Sequence, residues 1–323
     1  MTHSLANLLA LAICLFVPLA RADVKRPYFI GNSLTDTLLY DTFVSFAASR
    51  GHTVDYGRHM IPGAPLDWLW AHPDQGFTRM PYGFPTNALR YYLWDALSLQ
   101  CGTARYLVNE TNYASLFINL GMPHNSNMQV YAYAVWPAIQ WDLKYDYYTN
   151  PPPPRAYSQQ WVRIYPGGEP GDSSNRTRDY NLKFTLALRS VWTNRLAKLV
   201  CLAPAGEIMY DLNQKMMAGH IPGYTNIFQL YADNEHLNSR GSYMCACMWY
   251  ALLFREPPFG LPSSYYGLSQ SDPLVPAIQT SVWQTLVTYQ SYTGYIPEPS
   301  ISFLITTALV WLRHLLWQSR MRP

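Results

Sequence analysis

Segments with strand character alternate with segments of helical spacing through most of the chain, and this alternation constrains the fold more than any other feature. The strand candidates are short and apolar, whereas the segments between them repeat apolar residues at helical spacing. A chain of this kind buries its strands in a parallel sheet with helices on both faces. The predicted strands are 27–31, 52–60, 95–100, 129–136 and 199–203, and the predicted helices are 37–50, 112–120, 180–198 and 239–254.

The composition excludes two classes of protein. Of the 323 residues, 49% are hydrophobic, which is too many for an intrinsically disordered chain. The net charge is +3 and no basic stripe is visible, so nucleic acid is not expected as a partner.

The first 22 residues are typical of an export signal. An apolar run, 5–19, is followed by Ala20-Arg21-Ala22, which has the small-x-small pattern of a cleavage site. We expect a cleaved signal peptide over 1–22, because an uncleaved anchor needs roughly 20 apolar residues. Export places the remaining cysteines in an oxidising compartment, and their three possible disulfide pairings stay open. These cysteines are Cys101, Cys201, Cys245 and Cys247.

The other end of the chain has the pattern of a sorting tail. Pro297-Glu298-Pro299 precedes an apolar run, 301–312, and basic residues follow it. Residues 297–323 resemble the PEP-CTERM signal of bacterial exosortase substrates. The resemblance implies a bacterial cell-surface or secreted protein and an exosortase-type sorting enzyme as a partner. A helix that docks on the domain is the alternative, and 256–296 is predicted to be a Pro- and Tyr-rich wrap or spacer.

An aromatic and Pro-rich insertion at 137–179 interrupts the alternation after the fourth predicted strand. It lies at the carboxyl edge of the sheet, where ligands of such sheets bind. Its rings predict either a stacking platform for sugar rings or a lid that packs on the core, and the sequence does not favour one over the other.

Two short segments carry the candidate chemistry. Gly31-Asn32-Ser33-Leu34 lies where the first strand ends and a helix is about to begin, which is a favourable place for a nucleophilic Ser33. Asp233 and His236 lie three residues apart in a loop before the last predicted helix. His236 can accept the Ser33 proton while Asp233 binds its other ring nitrogen.

These two segments resemble the first and last conserved blocks of the SGNH (GDSL-type) hydrolase family, and the resemblance spans most of 27–254. It implies an SGNH hydrolase-like domain over 23–255 with the fold class of that family, a flavodoxin-like three-layer α/β/α sandwich. The sheet is then five-stranded and parallel, with the order 2-1-3-4-5. The family's activity is ester hydrolysis without a metal or cofactor. Gly63 fits the family's oxyanion-hole glycine, which donates a backbone N–H beside that of Ser33.

The family block Gly-x-Asn-Asp is missing after the third predicted strand. The chain has Gln100-Cys101-Gly102 there, and we expect the Gln100 amide to complete the oxyanion hole in place of the family's Asn. A Gln that binds loop carbonyls is the alternative.

The sequence therefore predicts a secreted serine esterase that removes acyl groups, acetyl above all, from an extracellular polysaccharide. An esterase for lipids or short acyl chains, or a glycan-binding or matrix protein on a decayed hydrolase scaffold, are the alternatives. The residues expected to line the substrate are Asn32, Trp68, Trp136 and Trp141.

Overall fold

A six-stranded sheet lies at the centre of the structure, a computed structural model in which residues 22–102, 105–165 and 176–296 are described. Apart from Ala22, the predicted signal peptide and the predicted sorting tail lie outside these residues. The strands are β1 (Val24–Lys25), β2 (Pro27–Gly31), β3 (Thr53–Val54), β4 (Gly57–Met60), β5 (Phe77–Thr78), β6 (Ala96–Gln100), β7 (Gln129–Tyr133) and β8 (Cys201–Ala203).

The spatial order of the main sheet is β5-β4-β2-β6-β7-β8. Its last five strands are parallel, and they follow the predicted order 2-1-3-4-5. The predicted number of five strands is wrong, because β5 adds an antiparallel edge strand beside β4. The predicted strand 52–60 is divided, since β3 pairs with β1 in a separate two-stranded sheet.

Helices cover both faces of this sheet. The α-helices are α1 (Tyr40–Ala48), α2 (Leu66–Ala71), α3 (Pro85–Tyr91), α4 (Leu107–Gly121), α5 (Ala156–Trp161), α6 (Arg178–Trp192), α7 (Ala205–Met217), α8 (Ser239–Phe254), α9 (Leu274–Thr288) and α10 (Gln290–Thr293). Short 3-10 helices lie at Thr35–Leu38, Ile227–Leu230 and Ser264–Tyr266. No helix among the described residues has the length and hydropathy that a membrane span requires.

The central strands are buried on both sides, because successive side chains point to opposite faces. In β2, Tyr28 and Ile30 pack with α2, α3, α4 and α6, whereas Phe29 packs with α1, α7, α8 and α9. The continuous apolar runs in the sequence reflect this double burial.

Helix α8 is buried on nearly every side. All of its residues from Gly241 to Phe254 are buried, which is fourteen of its sixteen. The Trp249 ring meets Phe29, Tyr131 and Tyr133 edge-on at centroid distances of 5.1–5.5 Å. The helix therefore closes one core of the domain, and its first turn follows the loop that carries His236.

Most rings of the 137–179 insertion are part of the core rather than a surface platform. Tyr157 and Trp161 are at most 1% exposed and Tyr165 is 6% exposed, whereas Trp141 and Tyr148 are 55% and 70% exposed. The lid alternative therefore describes most of the insertion better than the platform does.

The four cysteines predicted to be available for disulfides are all free and buried. Burial raises the pKa of each of their thiols. None of the three possible pairings is therefore formed in this structure.

Candidate active site

The turn that carries Ser33 is shaped by the residue before it. The Asn32 side-chain oxygen accepts the Leu34 N–H at 3.0 Å, and the Asn32 carbonyl accepts the Thr35 N–H at 3.0 Å and the Thr35 hydroxyl at 2.7 Å. Asn32 is 3% exposed, whereas Ser33 is half-buried at the carboxyl end of β2. Asn32 therefore holds the turn, and the prediction that it lines the substrate is wrong.

Ser33, His236 and Asp233 form a chain of hydrogen bonds. His236 Nε2 lies 2.9 Å from Ser33 Oγ, and His236 Nδ1 lies 2.9 Å from Asp233 Oδ2. The three predicted residues are thus brought together, although Ser33 and His236 lie 203 positions apart in the chain. These distances are within the range of a nucleophile, its base and the group that orients the base.

The charge of Asp233 determines which ring nitrogen of His236 carries the proton. Burial raises the Asp233 pKa, but hydrogen bonds from the backbone N–H groups of His236 and Glu235 and from the His236 ring outweigh it, so the pKa lies below its usual value. The ionised carboxylate only accepts hydrogen bonds, so His236 Nδ1 donates to it. In the neutral imidazole, His236 Nε2 then carries no proton and is the acceptor for the Ser33 hydroxyl.

Gln100 does not face the space above Ser33. Gln100 is fully buried. Its Oε1 accepts the Asn32 backbone N–H at 3.0 Å, and its Nε2 donates to the Cys101 carbonyl at 3.1 Å. The prediction that its amide completes the oxyanion hole is wrong. The physical reason is that the Asn32 N–H, buried at the end of β2, needs an acceptor and takes this one.

Gly31 is required for this close approach of Gln100 to the turn. A Cβ at position 31 would lie 2.5 Å from Thr35 Cγ2 and 2.6 Å from Gln100 Oε1. A side chain at this position would force the side chains of Thr35 and Gln100 to move.

Gly63 lies in an exposed turn just after β4, with a φ of +69° that favours glycine. Its strand pairs with that of Ser33, since Met60 lies opposite Gly31. This places the Gly63 turn at the same edge of the sheet as Ser33. The backbone N–H groups of Ser33 and Gly63 stay the predicted oxyanion donors.

The loop after β6 is supported by a buried side chain that was not predicted from the sequence. Glu110, fully buried in the first turn of α4, accepts the Gly102 N–H at 2.9 Å. Burial is the largest cause that raises the pKa of Glu110 to about 7. A polar residue at a buried helical position is the only sequence signal for this role, and it does not reveal the partner.

The three tryptophans predicted to line the substrate differ in exposure. Trp136 is fully buried, and its Nε1 donates to the Glu235 carbonyl at 2.8 Å, so the prediction is wrong for this ring. Trp68 and Trp141 are 49% and 55% exposed, and Trp68 stacks on His72 at 4.0 Å. For these two, substrate contact stays a prediction.

Fold and site together define a mixed α/β protein whose central sheet is flanked by helices and carries a Ser-His-Asp hydrogen-bond chain at its carboxyl edge. No group of three or more His, Cys, Asp or Glu side chains that could hold a metal ion is found in the part of the chain that is described.

No protein-family model matches the chain, and a comparison with curated proteins finds no match. Among solved structures, a DUF4886 family protein from Bacteroides uniformis ATCC 8492 matches 85% of this chain and 98% of its own, with 15% identity and a TM-score of 0.52. A protein described as a GDSL-like lipase from Parabacteroides merdae ATCC 43184 matches 72% of this chain and 97% of its own, with 10% identity and a TM-score of 0.40. The first of these likenesses shows a shared fold.

Proposed function

We propose that the protein is a serine ester hydrolase in which Ser33 is the nucleophile, His236 the general base and Asp233 the residue that orients His236. The observation that carries this proposal is the hydrogen-bond chain from Ser33 Oγ through the His236 ring to the Asp233 carboxylate, with both links at 2.9 Å. The resemblance of the two sequence blocks to the SGNH hydrolases supports the same reaction class.

In this reaction His236 Nε2 takes the Ser33 proton as Ser33 Oγ attacks the ester carbonyl carbon. The oxyanion that forms is stabilised by the backbone N–H groups of Ser33 and Gly63. His236 then gives its proton to the departing alcohol oxygen, and an acyl-Ser33 remains. Water, deprotonated by His236, attacks the acyl carbon, and collapse of the second oxyanion releases the acid and returns the proton to Ser33.

The substrate class that we propose is an O-acylated, above all O-acetylated, carbohydrate. Its support is the exposed indole of Trp68 on α2 and that of Trp141 in the insertion, because aromatic faces stack on sugar rings. Fewer rings are available than the sequence indicated, since Trp136 and three insertion rings, Tyr157, Trp161 and Tyr165, are buried.

The location that we propose is the envelope or exterior of a bacterium. Its support is the export-signal pattern of 1–22 and the resemblance of 297–323 to a PEP-CTERM tail, with an exosortase-type enzyme as the sorting partner. Apart from Ala22, neither segment belongs to the described residues.

The test compares residues 23–296 with the Ser33→Ala variant in two assays. A fluorophosphonate probe is expected to label the parent protein and not the variant, since it reports an activated serine without depending on the substrate. Chromogenic acetate, butyrate and octanoate esters and an acetylated polysaccharide then define the acyl group and the alcohol.

Acetate release that Ser33→Ala abolishes supports the proposal. Labelling and turnover that are equal in both proteins would remove Ser33 as the nucleophile, and absence of both from the parent would favour a binding protein on a decayed scaffold. A strong preference for octanoate would favour a lipid esterase.

A further inference from the structure

We propose that residues 136–149, named here the brace, set the position of His236 through Asn234, which makes Asn234 a positioning residue of the hydrolase. This inference rests on the proposed function, because the position of His236 matters through Ser33. The start of the aromatic insertion would then position a catalytic loop rather than bind substrate.

Asn234 directs its polar groups away from the catalytic pair and into the brace. Its carbonyl accepts the Ile139 N–H at 2.7 Å, its Oδ1 accepts the Tyr147 N–H at 2.7 Å, and its Nδ2 donates to Asp146 Oδ2 at 3.0 Å. One residue between Asp233 and His236 is thus tied to the brace at three points.

The neighbours of Asn234 are tied to the brace as well. The Trp136 indole donates to the Glu235 carbonyl at 2.8 Å, and the Tyr147 hydroxyl donates to the Tyr231 carbonyl at 3.2 Å. In return, the Tyr231 hydroxyl donates to the Pro137 carbonyl at 2.8 Å. The loop before α8 is therefore bound by the brace on both sides of Asp233.

Backbone control of this kind is needed because the catalytic side chains themselves are open to solvent. The side chains of His236 and Asp233 are 41% and 40% exposed, so packing does little to hold them. Misplacement of a reacting group by 1 Å costs about 10²-fold in rate. The loop backbone must then provide the accuracy that packing does not.

Asp146 is a fixed anchor for Asn234. Its Oδ1 accepts the N–H groups of Tyr148 and Thr149 at 3.0 and 2.9 Å and the Thr149 hydroxyl at 2.9 Å. The hydrogen bond from Asn234 is the largest cause that lowers the Asp146 pKa to about 2. Asp146 is therefore a carboxylate at ordinary pH, and only a donor at position 234 can pair with its Oδ2.

Because Asn234 donates and Asp146 accepts, exchanging the two side chains tests the inference in the full-length protein. Asn234→Asp keeps an acceptor for the Tyr147 N–H, but it places a second carboxylate beside that of Asp146, and the two negative charges repel each other. We expect kcat to fall about 10²-fold with KM within about twofold, because His236 shifts while substrate contacts stay. Adding Asp146→Asn restores a donor–acceptor pair with its direction reversed, and we expect kcat to return to within about threefold of the parent.

The matched control is Asn127→Asp, an exposed Asn just before β7, at the opposite edge of the sheet from Ser33. It adds the same charge, and kcat is expected to be unchanged. A kcat for Asn234→Asp within about twofold of the parent, or a loss that Asp146→Asn does not restore, would overturn the role of Asn234.

A second readout separates this inference from the proposed function. The NMR signals of the His236 ring, assigned with His236→Gln, are expected to move in Asn234→Asp and to return in the double variant, whether or not an ester is hydrolysed. If the His236 signals shift and return in this way but no ester is hydrolysed, the hydrolase function is refuted and the positioning role of Asn234 is supported. Normal turnover with unmoved signals would refute the brace alone.

Discussion

Replacing Gln100 by Met tests whether this residue anchors the nucleophile turn or serves as an oxyanion donor. Met has about the volume of Gln but offers no strong acceptor, so the variant leaves the buried Asn32 N–H unpaired. An unpaired buried donor costs about 1–3 kcal/mol, and we expect the free energy of unfolding to fall by that amount. An oxyanion donor would instead cost about 10²–10³-fold in kcat.

As an anchor, Gln100 should affect kcat by less than about tenfold, because the turn keeps the hydrogen bonds of Asn32 to Leu34 and Thr35. Urea unfolding followed by tryptophan fluorescence gives the free energy, and acetate-ester turnover of the folded fraction gives kcat. Gln129→Met is the control, since Gln129 is also buried and donates to the Val130 and Leu199 carbonyls at the amino edge of the sheet.

We expect Gln129→Met to lose stability and keep kcat. Our assignment of Gln100 is wrong if Gln100→Met keeps its free energy of unfolding within about 0.5 kcal/mol while kcat falls a hundredfold.

Three further predictions concern the supports of the site. Burial raises the Glu110 pKa from 4.5 to about 7, so between these pH values the folded state holds a proton that the unfolded chain releases. The free energy of unfolding therefore falls by about 3 kcal/mol as the pH rises from 4.5 through about 7. Glu110→Gln keeps the acceptor for the Gly102 N–H and should remove this fall, as measured by urea unfolding at pH 5 and pH 8. A loss of unfolding free energy between these two pH values as large as that of the parent would contradict the prediction. Gly31→Ala should cost about 1–3 kcal/mol of stability and lower kcat, since its Cβ would meet Thr35 and Gln100; an unchanged melting temperature would contradict the close approach. Deleting 297–323 should leave a soluble enzyme with unchanged kcat/KM, and aggregation in size-exclusion chromatography would show that the tail completes the core.

The central parallel strands could be predicted because each is an apolar run with both faces buried. Strand β5 could not, because two residues, Phe77 and Thr78, show no periodicity and form a strand only by pairing with β4. The positions of Ser33 and the Asp233–His236 loop could be inferred from short blocks that impose their own local geometry.

The directions in which the polar side chains of Gln100 and Asn234 point could not be read from the sequence. Gln100 follows an apolar run whether it faces Ser33 or the Asn32 N–H, and only the position of β2 decides between them. Asn234 is likewise an ordinary loop residue until the brace, some 90 positions earlier, is packed against it. Both depend on partners distant in sequence.

The burial of α8 has a consequence for the order in which the protein is made. Ser33 leaves the ribosome 203 residues before His236, which is about 10–40 s at ordinary rates of translation. Until α8 follows, the face formed by Phe29, Tyr131 and Tyr133 has no cover from Trp249. A chain that ends before Trp249 would leave that aromatic face uncovered, and we expect chaperones to bind such a chain and proteases to degrade it. The hydrogen-bond chain from Ser33 to Asp233 is then expected only in chains whose synthesis has passed α8.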